Sequence, residues 1–205
     1  MPKPQLSKEK IVDTAIEIAD EKGHESVTLR GIAKRLNVHV TSLYNHVPTK
    51  DAVFIEMMKK MIADSDMPVG SFTWQDWIRG YAEAFRRMAF QHPGAFQVFQ
   101  RGLAQGDEAM ETIESAIAAF RADGFDIETT FCAMRATNVA VFGLGLEDVA
   151  RETDTIPQLD PELVPVERFP QIHEVMAISE RPDTFHFLVE ALIAGIEATR
   201  SGRRC

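Results

Sequence analysis

The sequence has little of what disulfide-bonded, membrane-spanning or zinc-binding proteins require. Its 205 residues include only two cysteines, Cys132 and Cys205, whose spacing fits neither a disulfide framework nor a zinc site. No run approaches the roughly 20 consecutive apolar residues that span a bilayer, and residues 1–10 lack the apolar core of a signal peptide. We therefore expect a cytoplasmic globular protein with two free thiols and no membrane partner.

Motifs of the common enzyme and cofactor classes are also missing. There is no HExxH or HxxxH pair for zinc, no GxSxG around a nucleophilic serine, and no GxGxxG or P-loop for a nucleotide. We therefore expect neither an enzyme nor a cofactor or metal ion.

Negative charge predominates, but not in the first quarter of the chain. The whole sequence has 22 Lys and Arg against 31 Asp and Glu, a formal net charge of −9. Residues 1–50 nevertheless carry 8 basic and 6 acidic residues, and residues 26–50 contain no acidic residue at all. The basic residues in this second stretch are Arg30, Lys34, Arg35 and Lys50. A polyanion such as DNA is expected to bind there.

The spacing of apolar residues is helical almost throughout, which predicts an all-α fold. Four predicted helices follow a capping side chain: Ser7, Thr28, Thr49 and Thr73. The predicted helices cover roughly residues 7–22, 28–36, 40–47, 49–64, 73–91, a short segment from 93, then 107–124, 126–151 and 183–199. Residues 153–182 hold five of the ten prolines, which predicts a long loop around one small helix.

Residues 28–47 fit the spacing of a helix–turn–helix. Ala33 is small enough to let two helices cross closely, Val38 fills the turn, and Leu43 and Val47 hold the second helix on the core. The remaining side chains project outward, where a major groove would meet them. Those expected at DNA are Thr28, Arg30, Val40, Thr41, Ser42, Tyr44, Asn45, His46 and Lys50.

Their chemistry divides these side chains into two groups. Arg30, Tyr44, His46 and Lys50 suit phosphates, and Arg30 also suits a guanine edge. The short polar side chains suit base edges: Thr41, Ser42 and Asn45.

The stretch from the first helix through Lys50 resembles the TetR family of transcriptional regulators. The string TLRGIAKRLNVHVTSLYNHVPTKDAVF carries the family's LRxIAxxL in the second helix and LYxHV in the recognition helix, with Lys50 at the usual spacing. The second half is similar to the ligand-binding domain of the tetracycline repressors at GFDIE (124–128), GLGLED (143–148) and ALIAGIEA (191–198).

The resemblance implies an all-helical homodimer in which residues 1–50 form a DNA-binding domain and residues 51–205 a ligand-binding and dimerisation domain. It also implies that the helices at 126–151 and 183–199 form the dimer interface. Small residues on these helices permit close packing: Ala133, Ala136, Ala140, Gly143, Gly145, Ala191, Ala194, Gly195 and Ala198. A two-fold dimer is expected to bind a near-palindromic operator, and an effector to favour a splayed state that withdraws the recognition helices.

The effector site is expected among aromatic, aliphatic and amide side chains of the second half. The candidates are Phe85, Met88, Phe99, Ile113, Phe131, Met134, Asn138 and Phe142. The same apolar spacing more often marks a plain core, and Asn138 either orients a ligand or makes a hydrogen bond across the dimer. Gln100 aligns with the His that holds the magnesium–tetracycline complex in the tetracycline repressors, so we expect a different effector.

The predicted function is that of a DNA-binding repressor that a small, largely apolar effector releases from its operator. The alternative is a helical small-molecule-binding or catalytic bundle with a non-functional helix–turn–helix. The basic stretch within residues 26–50 favours the regulator. The proline-rich residues 153–182 are interpreted as a mobile lid or a wrap over the ligand cavity.

Overall fold

The computed structural model describes residues 6–102, 106–152, 160, 163–178 and 183–200, and within these ranges the regular structure is entirely helical. The prediction of an all-α protein is thereby confirmed. Two 3₁₀ segments, His24–Ser26 and Phe96–Arg101, lie between α-helices. The α-helices in the described ranges are α1 (Lys8–Lys22), α2 (Leu29–Leu36), α3 (Val40–Leu43), α4 (Lys50–Ala63), α5 (Trp74–Gln91), α6 (Asp107–Ala122), α7 (Ile127–Glu152), α8 (Pro170–Met176) and α9 (Thr184–Arg200).

Local capping explains where the first helices begin and end. Each predicted cap accepts a hydrogen bond from the backbone N–H three residues later: Ser7, Thr28, Thr49 and Thr73. Helix α2 ends at Asn37, whose φ of 53° and ψ of 46° place it in the left-handed region that terminates helices. The starts predicted for α1, α2, α4 and α5 are confirmed.

Helix α3 is shorter than the predicted 40–47. It ends at Leu43, and residues 44–46 form a turn. The Leu43 carbonyl accepts from both His46 N–H (2.9 Å) and Val47 N–H (2.8 Å), a tightening that is common at helix ends. Pro48 then disfavours helical geometry at the residue before it. Three of the predicted DNA contacts therefore lie in the turn after α3: Tyr44, Asn45 and His46.

The molecule has two helical units that share one continuous apolar core. Helices α1, α2 and α3 pack together around buried side chains such as Ile11, Ile32 and Leu43. Helix α4 contacts α1 on one side and α6 on the other, so it belongs to both units. In the larger unit, α5 packs along α7, and both contact α6 and α9. The interior of this larger unit lies between α5 and α7.

The described residues of the proline-rich region agree with the prediction of one small helix, α8, within residues 163–178. Most of the remaining residues of the predicted lid, 153–159, 161–162 and 179–182, lie outside the described residues. The lid therefore stays a prediction.

The predicted interface residues on α7 and α9 do not all face outward. Ala133 is buried, and a Cβ on Gly145 would lie 3.3 Å from Ala89 Cβ and from the Phe96 ring. Assigning these two residues to the interface was wrong, because the helical turn of α7 carries them to the side that faces α5. Ala140 is half-buried. The other six are exposed: Ala136, Gly143, Ala191, Ala194, Gly195 and Ala198.

Candidate nucleic-acid interface and ligand site

The turn between α2 and α3 is held by buried apolar residues and by the backbone. Ala33 packs in the crossing, and its carbonyl accepts from Val38 N–H at 3.0 Å. Leu43 and Val47 are buried beneath α3 and the turn after it. Because these contacts fix the inner side, the polar side chains of the same segment remain on the outer side.

All nine predicted DNA-contacting side chains retain accessible surface. Tyr44 is 51% exposed, which is unusual for a large aromatic side chain and suits contact with a phosphate backbone. The other exposed residues are Thr28, Arg30, Thr41 and Asn45. The half-buried residues are Val40, Ser42, His46 and Lys50. Their contacts with DNA stay a prediction.

Lys50 is held at the junction of α4 with the 3₁₀ segment that precedes α2. Its Nζ donates to the Glu25 carbonyl at 3.2 Å and lies 5.1 Å from the centre of the Phe54 ring. An ammonium group has three donors, so this geometry leaves hydrogen-bonding capacity for a phosphate. These two contacts fix the position of the Lys50 ammonium group.

Arg35 does not contribute free positive charge to the predicted basic patch. It hydrogen-bonds the Glu21 carboxylate through both terminal nitrogens, and its Nε lies 3.6 Å from a carboxylate oxygen of Glu17. The bonded guanidinium lowers the pKa of Glu21, and the same hydrogen bonds raise the pKa of Arg35. Both acids belong to α1, outside residues 26–50, which is why the local charge count missed them.

Three of the predicted effector residues meet at a ladder of aromatic rings on α5. Trp77, Tyr81 and Phe85 follow at one-turn spacing, with ring centres 4.8 and 4.6 Å apart. The ring centre of Phe85 lies 5.5 Å from that of Phe99. The Phe96 ring centre lies 5.8 Å from that of Phe99 and 5.1 Å from that of Phe142. The predicted residues Phe85, Phe99 and Phe142 therefore meet here. The cluster also contains three rings that sequence reasoning had not assigned to the site: Trp77, Tyr81 and Phe96.

The remaining predicted effector residues behave differently. Met88 is buried, and Met134 is half-buried against the core. Ile113 of α6 is half-buried. Phe131 is 68% exposed, so its assignment to the interior was wrong. Because α7 is apolar on several sides, its spacing did not reveal which stripe faces α5.

Asn138 has a partner that neither sequence interpretation foresaw. The Tyr81 hydroxyl donates to Asn138 Oδ1 at 2.8 Å, joining α5 to α7. Burial raises the pKa of Tyr81 above its ordinary value of 10.0, so the phenol stays protonated and remains a donor at neutral pH. A polar pair thus lies beside the aromatic ladder.

A second junction connects the interior to the unit formed by α1, α2 and α3. Asp20 of α1 accepts from Gly94 N–H (3.1 Å) and Ala95 N–H (2.9 Å), and its other oxygen lies 3.0 Å from His92 Nδ1. A Cβ on Gly94 would lie 1.9 Å from the Ala19 carbonyl oxygen, so only glycine fits this approach. The junction immediately precedes Phe96 of the aromatic cluster.

No group of three or more His, Cys, Asp or Glu side chains within the described residues is arranged to hold a metal ion. None of the helices described is long and apolar enough to cross a membrane.

Comparison with known proteins identifies two sequence families. The pattern described as the tetracyclin repressor-like C-terminal domain matches residues 68–200. The pattern described as bacterial regulatory proteins, tetR family, matches residues 11–57. The second match contains the helix–turn–helix, and the first contains the aromatic interior.

Individual relatives agree with these families. A helix–turn–helix transcriptional regulator of Saccharopolyspora erythraea is 34% identical over 154 residues, covering 74% of this chain and 65% of that regulator. The tetracycline repressor protein class D of Escherichia coli is 26% identical over 199 residues, covering 94% of this chain and 90% of the repressor. The crystal structure of Streptomyces coelicolor ActR with actinorhodin has a TM-score of 0.81 at 22% identity, covering 97% of this chain and 100% of ActR.

The chain spans a little under two thirds of the Saccharopolyspora regulator and most of the class D repressor. Sequence match, fold and the arrangement of the helix–turn–helix agree. The chain therefore belongs to the TetR family of bacterial transcriptional regulators.

Proposed function

We propose that the protein is a repressor that leaves its operator when a small, largely apolar effector enters the interior between α5 and α7. The observation that carries this proposal is the physical connection between the two sites. Asp20 fixes the DNA-facing unit to residues 92–95, and Phe96 directly after them lies in the aromatic cluster. A ligand that displaces Phe96 would therefore move the anchor of α1.

The names of related proteins support this direction. The class D protein is a tetracycline repressor, and ActR was crystallised with actinorhodin. Both names describe those proteins, and Gln100 here replaces the His expected for tetracycline. The effector of the present chain is accordingly proposed to be a different molecule.

On the DNA side, residues 1–50 are proposed to form the operator-binding unit, and residues 51–205 the effector-binding and dimerisation unit. Arg30, Tyr44, His46 and Lys50 contact phosphates, and Arg30 also reaches a guanine edge. The proposed base contacts are Thr41, Ser42 and Asn45. Thr28 uses its hydroxyl oxygen to cap α2, which leaves the hydroxyl proton for a phosphate.

A homodimer is proposed through the outer faces of α7 and α9. Besides the small residues, this face exposes Phe131, Val139 and Phe187. Large apolar side chains exposed beside small ones mark a surface that another helix pair covers. In this arrangement Phe131 serves the partner contact, and the two recognition turns of the dimer meet a near-palindromic operator in the bacterial cytoplasm.

The experiment that tests the proposal is a titration of the purified protein with the DNA that flanks its gene. Scrambled DNA of equal length is the control, and both are measured at two salt concentrations. A preference of about a thousandfold or more for one near-palindromic site establishes a specific regulator. Weak binding that collapses with salt and ignores sequence would favour a helical ligand-binding bundle with a non-functional helix–turn–helix.

A further inference from the structure

The two tryptophans of the chain, both on α5, differ in what their indole N–H groups meet. Trp74 Nε1 donates to a carboxylate oxygen of Asp123 at 3.0 Å. Trp77 is 3% exposed, and its Nε1 forms no hydrogen bond with any acceptor among the described residues. The two side chains are equally buried, so burial alone does not explain the difference.

A buried N–H without an acceptor is costly, because it has lost its hydrogen bonds to water and gained none. Such donors are rare in native proteins, and a role in binding is one explanation for keeping one. A phenylalanine at position 77 would fill much of the same space without that cost. The unpaired donor on Trp77 therefore points to an acceptor that arrives with a ligand.

The surroundings of Trp77 define the shape of such a ligand. The Trp77 and Tyr81 rings are stacked with an interplanar angle of 18°, and the ladder continues through Phe85 to Phe96 and Phe99. If the stacked rings of Trp77 and Tyr81 move apart, their flat faces become available to a ligand. Flat aromatic molecules gain most from these faces, because offset stacking adds to the burial of their area.

The charge of the surroundings defines the ligand further. The basic side chains of α5 that border this interior are already paired: Arg79 with Glu190, and Arg86 with Asp148. The polar groups beside the ladder, Tyr81 and Asn138, are uncharged at neutral pH. An ionic ligand group would be buried here without a counter-charge, which is strongly unfavourable.

We infer that Trp77 donates its Nε1–H to a carbonyl-type oxygen on a flat, uncharged aromatic effector. The inference rests on the proposed function, since it names the chemical class of ligand for the same interior. Trp77 binds the acceptor, and Tyr81 and Phe85 stack on the rings. Trp74, already bonded to Asp123, takes no part in ligand binding.

The test uses 9-fluorenone and fluorene, two flat tricyclic molecules that differ by one carbonyl oxygen. The full chain is labelled with ¹⁵N, and its two indole N–H signals are assigned with W77F and W74F, each of which removes one signal. Fluorenone is expected to move the Trp77 signal downfield, in the direction of a new hydrogen bond. Fluorene is expected to cause no such downfield shift of the Trp77 signal. Neither ligand should shift the Trp74 signal downfield.

Equilibrium dialysis gives the matching affinities. W77F keeps an aromatic ring but lacks the donor, so its affinity for fluorenone should fall about tenfold, while its affinity for fluorene stays within about twofold of wild type. W74F should bind both probes as the wild type does. The thermal midpoint of W77F should equal or exceed that of the wild type, because a buried unpaired donor has been removed.

Three results would overturn the inference: neither probe binds, both probes move the Trp77 signal alike, or W77F binds fluorenone as tightly as the wild type. Operator binding without any probe is measured on the same samples. Its absence in the wild type would reject the proposed function whatever the Trp77 signal does. If the wild type binds the operator but fluorenone does not shift the Trp77 signal, only the inference that Trp77 donates to the effector is rejected.

Discussion

The α2–α3 segment and the α5–α7 interior place their proposed functional residues by different physical means. In the first, capping side chains, a left-handed Asn37 and a proline after Val47 fix the backbone locally, and the polar side chains remain outside by default. In the second, several side chains meet a partner from another element, as Tyr81 of α5 does with Asn138 of α7. The exposure of surface residues can thus be inferred from neighbours in sequence, whereas the contacts of interior residues depend on neighbours in space.

The junction between the two regions is where a single change should have the largest effect. Gly94→Ala places a Cβ against the Ala19 carbonyl, and the three nearest atoms are all backbone atoms of Ala19 and Asp20 rather than a flexible side chain that could yield. We expect the free energy of unfolding to fall by about 3 kcal/mol, measured by urea denaturation. Operator affinity should fall as well, because α1 loses its anchor.

The control for this change is Gly80→Ala, which lies on α5 and has room for the new methyl group. Its Cβ would lie 3.5 Å from Pro68 Cβ, an ordinary contact. Since alanine favours helices, this variant should be as stable as the wild type or slightly more stable. Equal loss of stability in both variants would contradict a specific junction at Gly94.

The next largest effect is expected at the DNA-facing surface, where two arginines on the same helix differ in their partners. Arg30→Ala should weaken operator binding about tenfold, reduce the salt dependence by about one phosphate contact, and leave dimerisation and helicity unchanged. Arg35→Ala should have a much smaller effect, because Glu21 and Glu17 already hold that guanidinium. Fluorescence anisotropy with labelled operator measures both.

A similar loss in the two variants would show that the ion pair with α1 opens on DNA and that Arg35 also contacts phosphate. No loss in Arg30→Ala would show that α2 is turned away from the operator. Either result would break the distinction between free and paired charge on this surface.

A smaller effect is expected from breaking the polar pair in the interior. Tyr81→Phe keeps the aromatic ladder but leaves Asn138 Oδ1 without its donor, so stability should fall by about 1 kcal/mol. Tyr44→Phe is the control, because Tyr44 is 51% exposed. Equal stability of both variants would mean that water replaces the Tyr81 hydroxyl at Asn138 without loss.

The smallest effect concerns alkaline pH. Burial raises the pKa of Tyr81 above 10.0, so the folded chain keeps this proton to a higher pH than the unfolded chain does. The free energy of unfolding is therefore unaffected by this group below pH 10 and decreases as the pH rises above 10. Absorbance of the phenolate during titration should show a late phase that disappears in Tyr81→Phe. An unchanged titration curve in that variant would contradict the burial of Tyr81.

Much of the fold was predictable, because its signals are local. Ser7, Thr28, Thr49 and Thr73 cap the helices that the sequence predicted, and the family motif lies on α2, α3 and the following turn. The shortened α3 was not predicted, since the apolar spacing of Leu43 and Val47 is the same in a helix and in a helix followed by a tight turn.

The sequence by itself determined the helical class, the helix starts and the location of the helix–turn–helix, because capping, periodicity and turn chemistry act within a few residues. Only the tertiary structure decided which charges are free and which rings meet. It paired Arg35 with acids of α1, turned Phe131 outward and Ala133 inward, and left Trp77 Nε1 without an acceptor among the described residues. These outcomes depend on which helix packs against which, and a one-dimensional pattern of apolar residues is compatible with several such packings.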